Sequence, residues 1–199
     1  MKKILLLILL SILFSCSKKE VKIPMISLEG PTEIKNNSQI WMFYTKNMPI
    51  KINEKNRIST THWLFNIDKR LILKDVLPEA NRLLIKHREK SPHNHGGMNN
   101  YYSYLNTDTN QWTFYPFDSI KYKFKALKSF REYGKDTLLL KFDDLRESMK
   151  TLHTIDNLYV IQSAFSSQLS FQNYMEIKAA LKKVVNKDKL SSIELIYSN

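Results

Sequence analysis

Three histidines fall within one short stretch, His87-Arg88-Glu89-Lys90-Ser91-Pro92-His93-Asn94-His95-Gly96-Gly97. Imidazoles gathered this way can ligate a transition metal or titrate near neutral pH. His93 and His95 alternate, so an extended loop would point them to opposite sides. His87, at a helix end, would have to reach back as a third ligand. Arg88 and Lys90 oppose a cation, and Glu89 is the only carboxylate nearby. The expectation is therefore a soluble polar loop without metal or cofactor, with His87, His93 and His95 as the candidate ligands if a metal is bound. His62 and Asp68 flank an apolar strand and could act as an acid–base pair only if the fold brings them together. Tyr101, Tyr102, Tyr104, Trp112, Phe114, Tyr115 and Phe117 could line a sugar- or peptide-binding face. Aromatic residues at alternate positions of a hairpin are more often cross-strand core pairs, and that is the reading preferred here. There is no G-x-S-x-G elbow, no H-E-x-x-H and no glycine-rich phosphate loop. The expectation is a non-enzymatic protein.

The one cysteine has its own chemistry. Lys2 and Lys3 precede an apolar run from Ile4 to Phe14, interrupted only by Ser11, and Cys16 follows at once. The run is about half of the roughly 20 residues that a spanning helix needs. A charged start and a short apolar stretch are the pattern of a cleavable leader. Leu13-Phe14-Ser15-Cys16 resembles the lipobox of bacterial lipoproteins, in which a Leu sits three before the Cys and a small residue just before it. Phe14 departs from the commoner small residue. The resemblance implies cleavage before Cys16, a diacylglycerol on its sulfur and a membrane anchor. That would also explain a lone thiol, which has no disulfide partner. By the same resemblance, Ser17-Lys18-Lys19 favours the periplasmic side of an outer membrane, with the cytoplasmic membrane as the alternative.

The elements that would position these residues can be read from periodicity. Residues 1–15 read as signal peptide and 16–38 as a lipidated N-terminus and tether. Residues 39–130 read as an N-terminal α/β region and 131–199 as a C-terminal αβαβ region. A flexible tether of that length would span roughly 26 Å. Strands are predicted at 39–45, 60–67, 101–105, 112–115, 120–125, 158–162 and 193–197. The pair 101–105 and 112–115 forms a hairpin. Leu73, Val76, Leu77, Ala80, Leu83 and Leu84 have helical spacing, with Asp75 as a cap and Pro78 in the first turn. Asp144 and Glu147 predict a capping box, and Ser170 caps a helix carrying Phe171, Tyr174 and Met175. The fold class is mixed α/β (α+β): small mixed sheets with packed helices. Two strand–helix units stand out, since positions 73, 76 and 77 match 171, 174 and 175. They are either a repeat joined by the hairpin segment or two ordinary βα units, with strand-to-helix gaps that differ by two residues.

The formal charge is +12 over 199 residues, carried mostly by lysine scattered along the chain. Scattered lysine is a solvated surface rather than a nucleic-acid reader, so no nucleic-acid partner is expected. The order from Asp144 to Ser198 (helix, strand, helix, strand) is similar in plan to the periplasmic domain of the ExbD/TolR biopolymer-transport proteins. That family has a spanning helix with a proton-coupling aspartate, and this chain has a leader instead. The resemblance thus implies no motor role, only an envelope module that binds a protein complex or cell-wall polymer. The oligomeric state is left open.

Overall fold

The computed structural model describes residues 20–89, 97–126, 136–152 and 158–198. The chain is mixed α/β, with two sheets and three helices among these residues. In order, the strands are β1 (Met25–Ile26), β2 (Asn37–Phe43), β3 (Lys51–Asn53) and β4 (His62–Ile67). Then come helix α1 (Leu73–Glu89), the hairpin β5 (Asn100–Asn106) and β6 (Gln111–Pro116), and strand β7 (Lys121–Ala126). The rest is β8 (Thr137–Phe142), α2 (Leu145–Leu152), β9 (Val160–Ser166), α3 (Phe171–Val184) and β10 (Leu190–Ser198). Strands β2, β4 and β5 run parallel, flanked by antiparallel β3 and β6. The second sheet, β7-β10-β9-β8, is parallel throughout.

Helix α1 forms where the apolar stripe lies. Leu73, Val76, Leu77, Ala80, Leu83, Leu84 and His87 are all buried. Asp75 lies inside its first turn rather than capping it. Pro78 falls one turn deeper than expected. It is exposed, so the carbonyl that its missing N–H leaves unpaired can meet water. The other two caps form as the residues predict. Asp144 Oδ1 accepts from Glu147 N at 3.0 Å, and Ser170 Oγ accepts from Asn173 N at 3.1 Å.

The two strand–helix units are a repeat in their hydrogen bonding. Leu73 N donates to Leu169 O at 2.9 Å, and Phe171 N donates to Leu71 O at 2.7 Å. Lys74 N donates to Ser167 O at 2.9 Å, and Gln172 N to Lys69 O at 3.1 Å. One pair of residues maps onto the other by a constant shift of 98 (73 to 171, 71 to 169, 74 to 172, 69 to 167). The antiparallel bridge Ile72–Ser170 obeys the same shift, so a local two-fold passes through it. The shift also carries His62–Ile67 onto 160–165 of β9, so each helix begins at the same distance from the start of its strand, and the gap is one residue shorter in the second unit only because β9 runs on to Ser166. The apparent two-residue difference came from starting β9 too early, at exposed Leu158 and Tyr159. In both units a parallel neighbour lies on each side of the first strand: β2 and β5 on β4, β8 and β10 on β9. The units differ at their margins, where β3 and β6 edge one and β7 edges the other.

Two expected boundaries move. The stretch read as tether is bound into the fold from Lys22 onward. Leu105 N donates to Pro24 O at 2.9 Å, Thr107 N donates to Ile26 O at 3.1 Å, and Ile26 and Leu28 are buried. Its polar composition concealed an alternating pair of apolar residues. The division near residue 130 also fails to separate the sheets. β7 precedes it in sequence yet edges the second sheet, and one core cluster joins Phe65 and Tyr102 to Phe165 and Ile196. On β7 the alternation is real but incomplete, since Tyr122 is buried and Phe124 is 43% exposed.

Candidate functional site

Of the three clustered histidines, the structure places His87 in the core. His87 is 2% exposed and lies flat on Trp63, with ring centroids 3.9 Å apart and planes 7° from parallel. Its Nδ1 is 3.0 Å from Asn100 Oδ1, and its Nε2 is 3.2 Å from Ser59 O. Asn100 is oriented by Asp118, which accepts from its Nδ2 at 2.7 Å. Both ring nitrogens thus face protein oxygens inside the core, and His87 ties α1 to β4 and β5. The sequence carried the signal, because His87 continues the stripe of Leu73, Leu77 and Leu84. His93 and His95 lie outside the described residues. Among the described residues, no three His, Cys, Asp or Glu side chains converge as a metal site.

His62 and Asp68 stand at opposite ends of β4, and the strand separates them by about 20 Å. His62 Nδ1 accepts from Asn99 N at 2.9 Å, while Asp68 is fully buried against Arg70. They form no acid–base pair. The hairpin aromatics are core. Tyr102 stacks on Phe117 at 3.8 Å, and Tyr102, Tyr104 and Phe117 are fully buried. Trp112 is the exception, at 46% exposed.

Where the two units meet lies a buried polar chain that sequence reasoning missed. Lys178 on α3 pairs with Glu194 on β10, and both are almost fully buried. Tyr174 donates to Glu194 Oε2 at 2.6 Å. Its oxygen lies 3.4 Å from that of Tyr122, which is 2.8 Å from that of Tyr102. Burial pushes all three phenols well above their ordinary range, with the Glu194 charge adding to the effect. For Lys178, burial favours the neutral amine, but Glu194 and Tyr115 together outweigh it and the pKa is raised. At neutral pH the chain is therefore one ion pair and three neutral phenols. It is closed to solvent; the ion pair ties α3 to β10 within the second unit, and the Tyr122–Tyr102 bond carries the chain across to the first. The signal was Lys178 within the apolar stripe Phe171, Tyr174, Met175 and Leu181.

An open cleft of about 350 Å³ lies between β1, α2 and α3. Met25, Ile26, Met149, Ala179 and Ala180 form an apolar floor, with Glu176 and Lys183 among the walls. Gln172 clamps the strand that forms one side. It accepts from Met25 N at 3.0 Å and donates to Met25 O at 2.8 Å. Its amide nitrogen also donates to Glu176 Oε1 at 2.8 Å. Beside the cleft, Lys183 Nζ donates to Ser27 Oγ at 3.0 Å, and Ser27 Oγ donates to Asp108 Oδ2 at 2.6 Å. Lys, Ser and Asp in line have the composition of a nucleophile and its base. Here an ammonium donates to the hydroxyl and cannot take its proton, so the array pins β1 to the hairpin turn. The cleft can take apolar side chains between one acidic and one basic wall. No protein-family model, curated protein or solved structure matches the chain.

Proposed function

We propose that this chain is a lipoprotein of the bacterial cell envelope, anchored through Cys16, that serves as a non-enzymatic binding or adaptor module. The carrying observation is the leader itself: a short apolar run ends in the only cysteine, and a folded region begins a few residues later. Ser17-Lys18-Lys19 supports the periplasmic face of an outer membrane. The cleft between β1, α2 and α3 is the surface for a protein partner, which would insert an apolar segment. The order α2-β9-α3-β10 supports the likeness in plan to ExbD/TolR periplasmic domains, and with it a partner in an envelope complex. The burial of His87 against Trp63 counts against an enzyme or metal carrier built on the histidine loop.

The test is an affinity pull-down of the tagged full-length chain from gently solubilised membranes, with wild type, Cys16→Ala and Ala180→Arg in parallel. Intact mass of the mature N-terminus reports lipidation. The reading expects a diacylglyceryl Cys16 and envelope subunits that are lost with Ala180→Arg while the anchor stays. An unmodified N-terminus defeats the anchor. A lipidated chain that recovers no partner, or recovers the same partner with Ala180→Arg, defeats the adaptor role of the cleft.

A further inference from the structure

The fold begins close behind Cys16. Lys22 N donates to Asp68 Oδ2 at 3.2 Å, and Lys22 O accepts from Lys69 N at 2.7 Å. Asp68 also binds Arg70 through its N at 3.1 Å, Nε at 2.8 Å and Nη2 at 2.6 Å. The Arg70 guanidinium lies 4.5 Å over the Tyr44 ring. Tyr44 enters a turn, closed by Met48 N donating to Thr45 O at 3.2 Å, that carries exposed Lys46 and Met48. Met48 is 66% exposed. The end of β2, the end of β4 and the incoming N-terminal strand therefore share one corner of the first sheet.

Chain length fixes where this corner can go. Lys22 follows Cys16 by six steps along the chain, and each spans at most about 3.6 Å. A lipid on Cys16 would hold Lys22 within about 20 Å of the acyl chains. From this we infer that the corner formed by Lys22, Tyr44, Lys46, Met48, Lys69 and Arg70 is a docking surface for an anionic lipid bilayer. The inference rests on lipidation at Cys16. Its chemistry is matched: ammonium groups face phosphate head groups, while Tyr44 and Met48 offer the amphipathic and apolar contacts suited to the interface. The acidic groups at the corner are Glu20 and Asp68, and the charge of Asp68 is taken up by Arg70 and two backbone amides. The adaptor thus lies on the membrane in one orientation instead of swinging on a long leash.

Depth-dependent quenching tests this. Lipid on Cys16 blocks its thiol, so the full-length lipidated chain carrying Met48→Cys takes an environment-sensitive label at one place. Thr60→Cys supplies the control, at the far end of the first sheet. In phosphatidylglycerol vesicles containing a nitroxide lipid, the label at 48 is quenched and the label at 60 is not. In phosphatidylcholine vesicles, or with Lys22→Glu and Lys46→Glu added, the docked fraction falls about fivefold per lysine. Circular dichroism of each variant confirms its fold. Equal quenching at both positions, or none at 48 in chains that float with the vesicles, overturns the docking. Chains that carry no lipid and do not float overturn the anchor and the docking together.

Discussion

Alkaline pH is the sharpest probe of the buried polar chain. Tyr102, Tyr122 and Tyr174 have pKa values raised first by burial. Burial works to lower Lys178, but Glu194 and Tyr115 together raise it. In the unfolded chain tyrosine titrates near about 10 and lysine near about 10.4. All four groups keep their protons longer in the folded state, so their contribution is complete below about pH 10 and is lost as pH climbs toward the folded values. Each group then costs about 1.4 kcal/mol per pH unit, so the four together give a slope of about 5 kcal/mol per unit. Tyr104, pushed up to about 12 by burial, adds to it. A domain with roughly 5–15 kcal/mol of stability exhausts it within about one to three units. Urea midpoints by circular dichroism from about pH 8 to 11.5, with tyrosinate absorbance followed alongside, measure that slope. Tyr122→Phe removes one of the protons and should flatten it by about 1.4 kcal/mol per unit. If stability stays level to about pH 11 while all ten tyrosines ionise together before unfolding, the phenols are not held as described and the reasoning fails.

Three further substitutions test separate parts of the fold. Asp68→Asn weakens the hold on Lys22 and Arg70 and should cost about 2 kcal/mol, with the exposed Arg70 contact counted lightly. Burial works to raise the Asp68 pKa, but Arg70 and the Lys22 amide bring it below the usual value. Its contribution is present above about pH 4 and lost on acidification, so the wild-type advantage over Asn in urea titrations should shrink below that. Gly30→Ala sets a methyl 2.9 Å from the Tyr104 hydroxyl and 3.0 Å from the Phe114 carbonyl. The crowding should lower the melting temperature by an amount equivalent to about 1–3 kcal/mol, and an unchanged melt would mean that the segment at Gly30 does not pack against the hairpin. Ser170→Ala removes the cap of α3 and should cost about 1 kcal/mol by chemical denaturation.

Elements with a clean period were legible from residues alone. The stripe from Leu73 to Leu84 and the alternation of 101–105 with 112–115 place α1 and the hairpin within a residue or two. The parallel pairing of β9 with β10 follows from a strand, a helix and a strand at short spacing. The failures have physical causes. Lys22 to Leu28 was read as tether because its buried residues, Pro24, Ile26 and Leu28, alternate with polar or exposed ones, and their carbonyls find partners far away in sequence, at Leu105 N, Thr107 N and the Tyr104 and Asn106 side chains. The contact between Lys178 and Glu194 joins residues 16 positions apart on a helix and a strand, and no local pattern predicts it. His87 was readable as a buried residue from its place on the stripe. The draw of three histidines within one short stretch hid that reading.

The internal repeat gives the buried chain a further meaning. Under the shift of 98, Tyr174 and Lys178 correspond to Val76 and Ala80, which are buried and apolar. Phe65 is paired with Tyr102, and its counterpart Ser163 with Glu194, so Tyr102 and Glu194 occupy matching places. One copy of the unit thus fills with hydrocarbon the helix positions that the other gives to an ion pair and a phenol. A buried pair is weak support for stability, because desolvation offsets most of its attraction. Both partners sit in the second unit, on α3 and β10, so an exchange of halves between chains would leave the pair intact. The contacts that cross to the first unit are the Tyr102–Tyr122 hydrogen bond and the Lys178 ammonium over the Tyr115 ring. Glu194→Gln alone strands Lys178 and should cost about 3–5 kcal/mol. Lys178→Met together with Glu194→Gln keeps an acceptor for Tyr174 and should return to within about 1 kcal/mol of wild type. Because the pair lies within one unit, that double variant should refold at high concentration with the wild-type mass, measured by light scattering after size exclusion. Exchanged oligomers that wild type does not form would show instead that the Lys178 charge against Tyr115 governs how the halves meet.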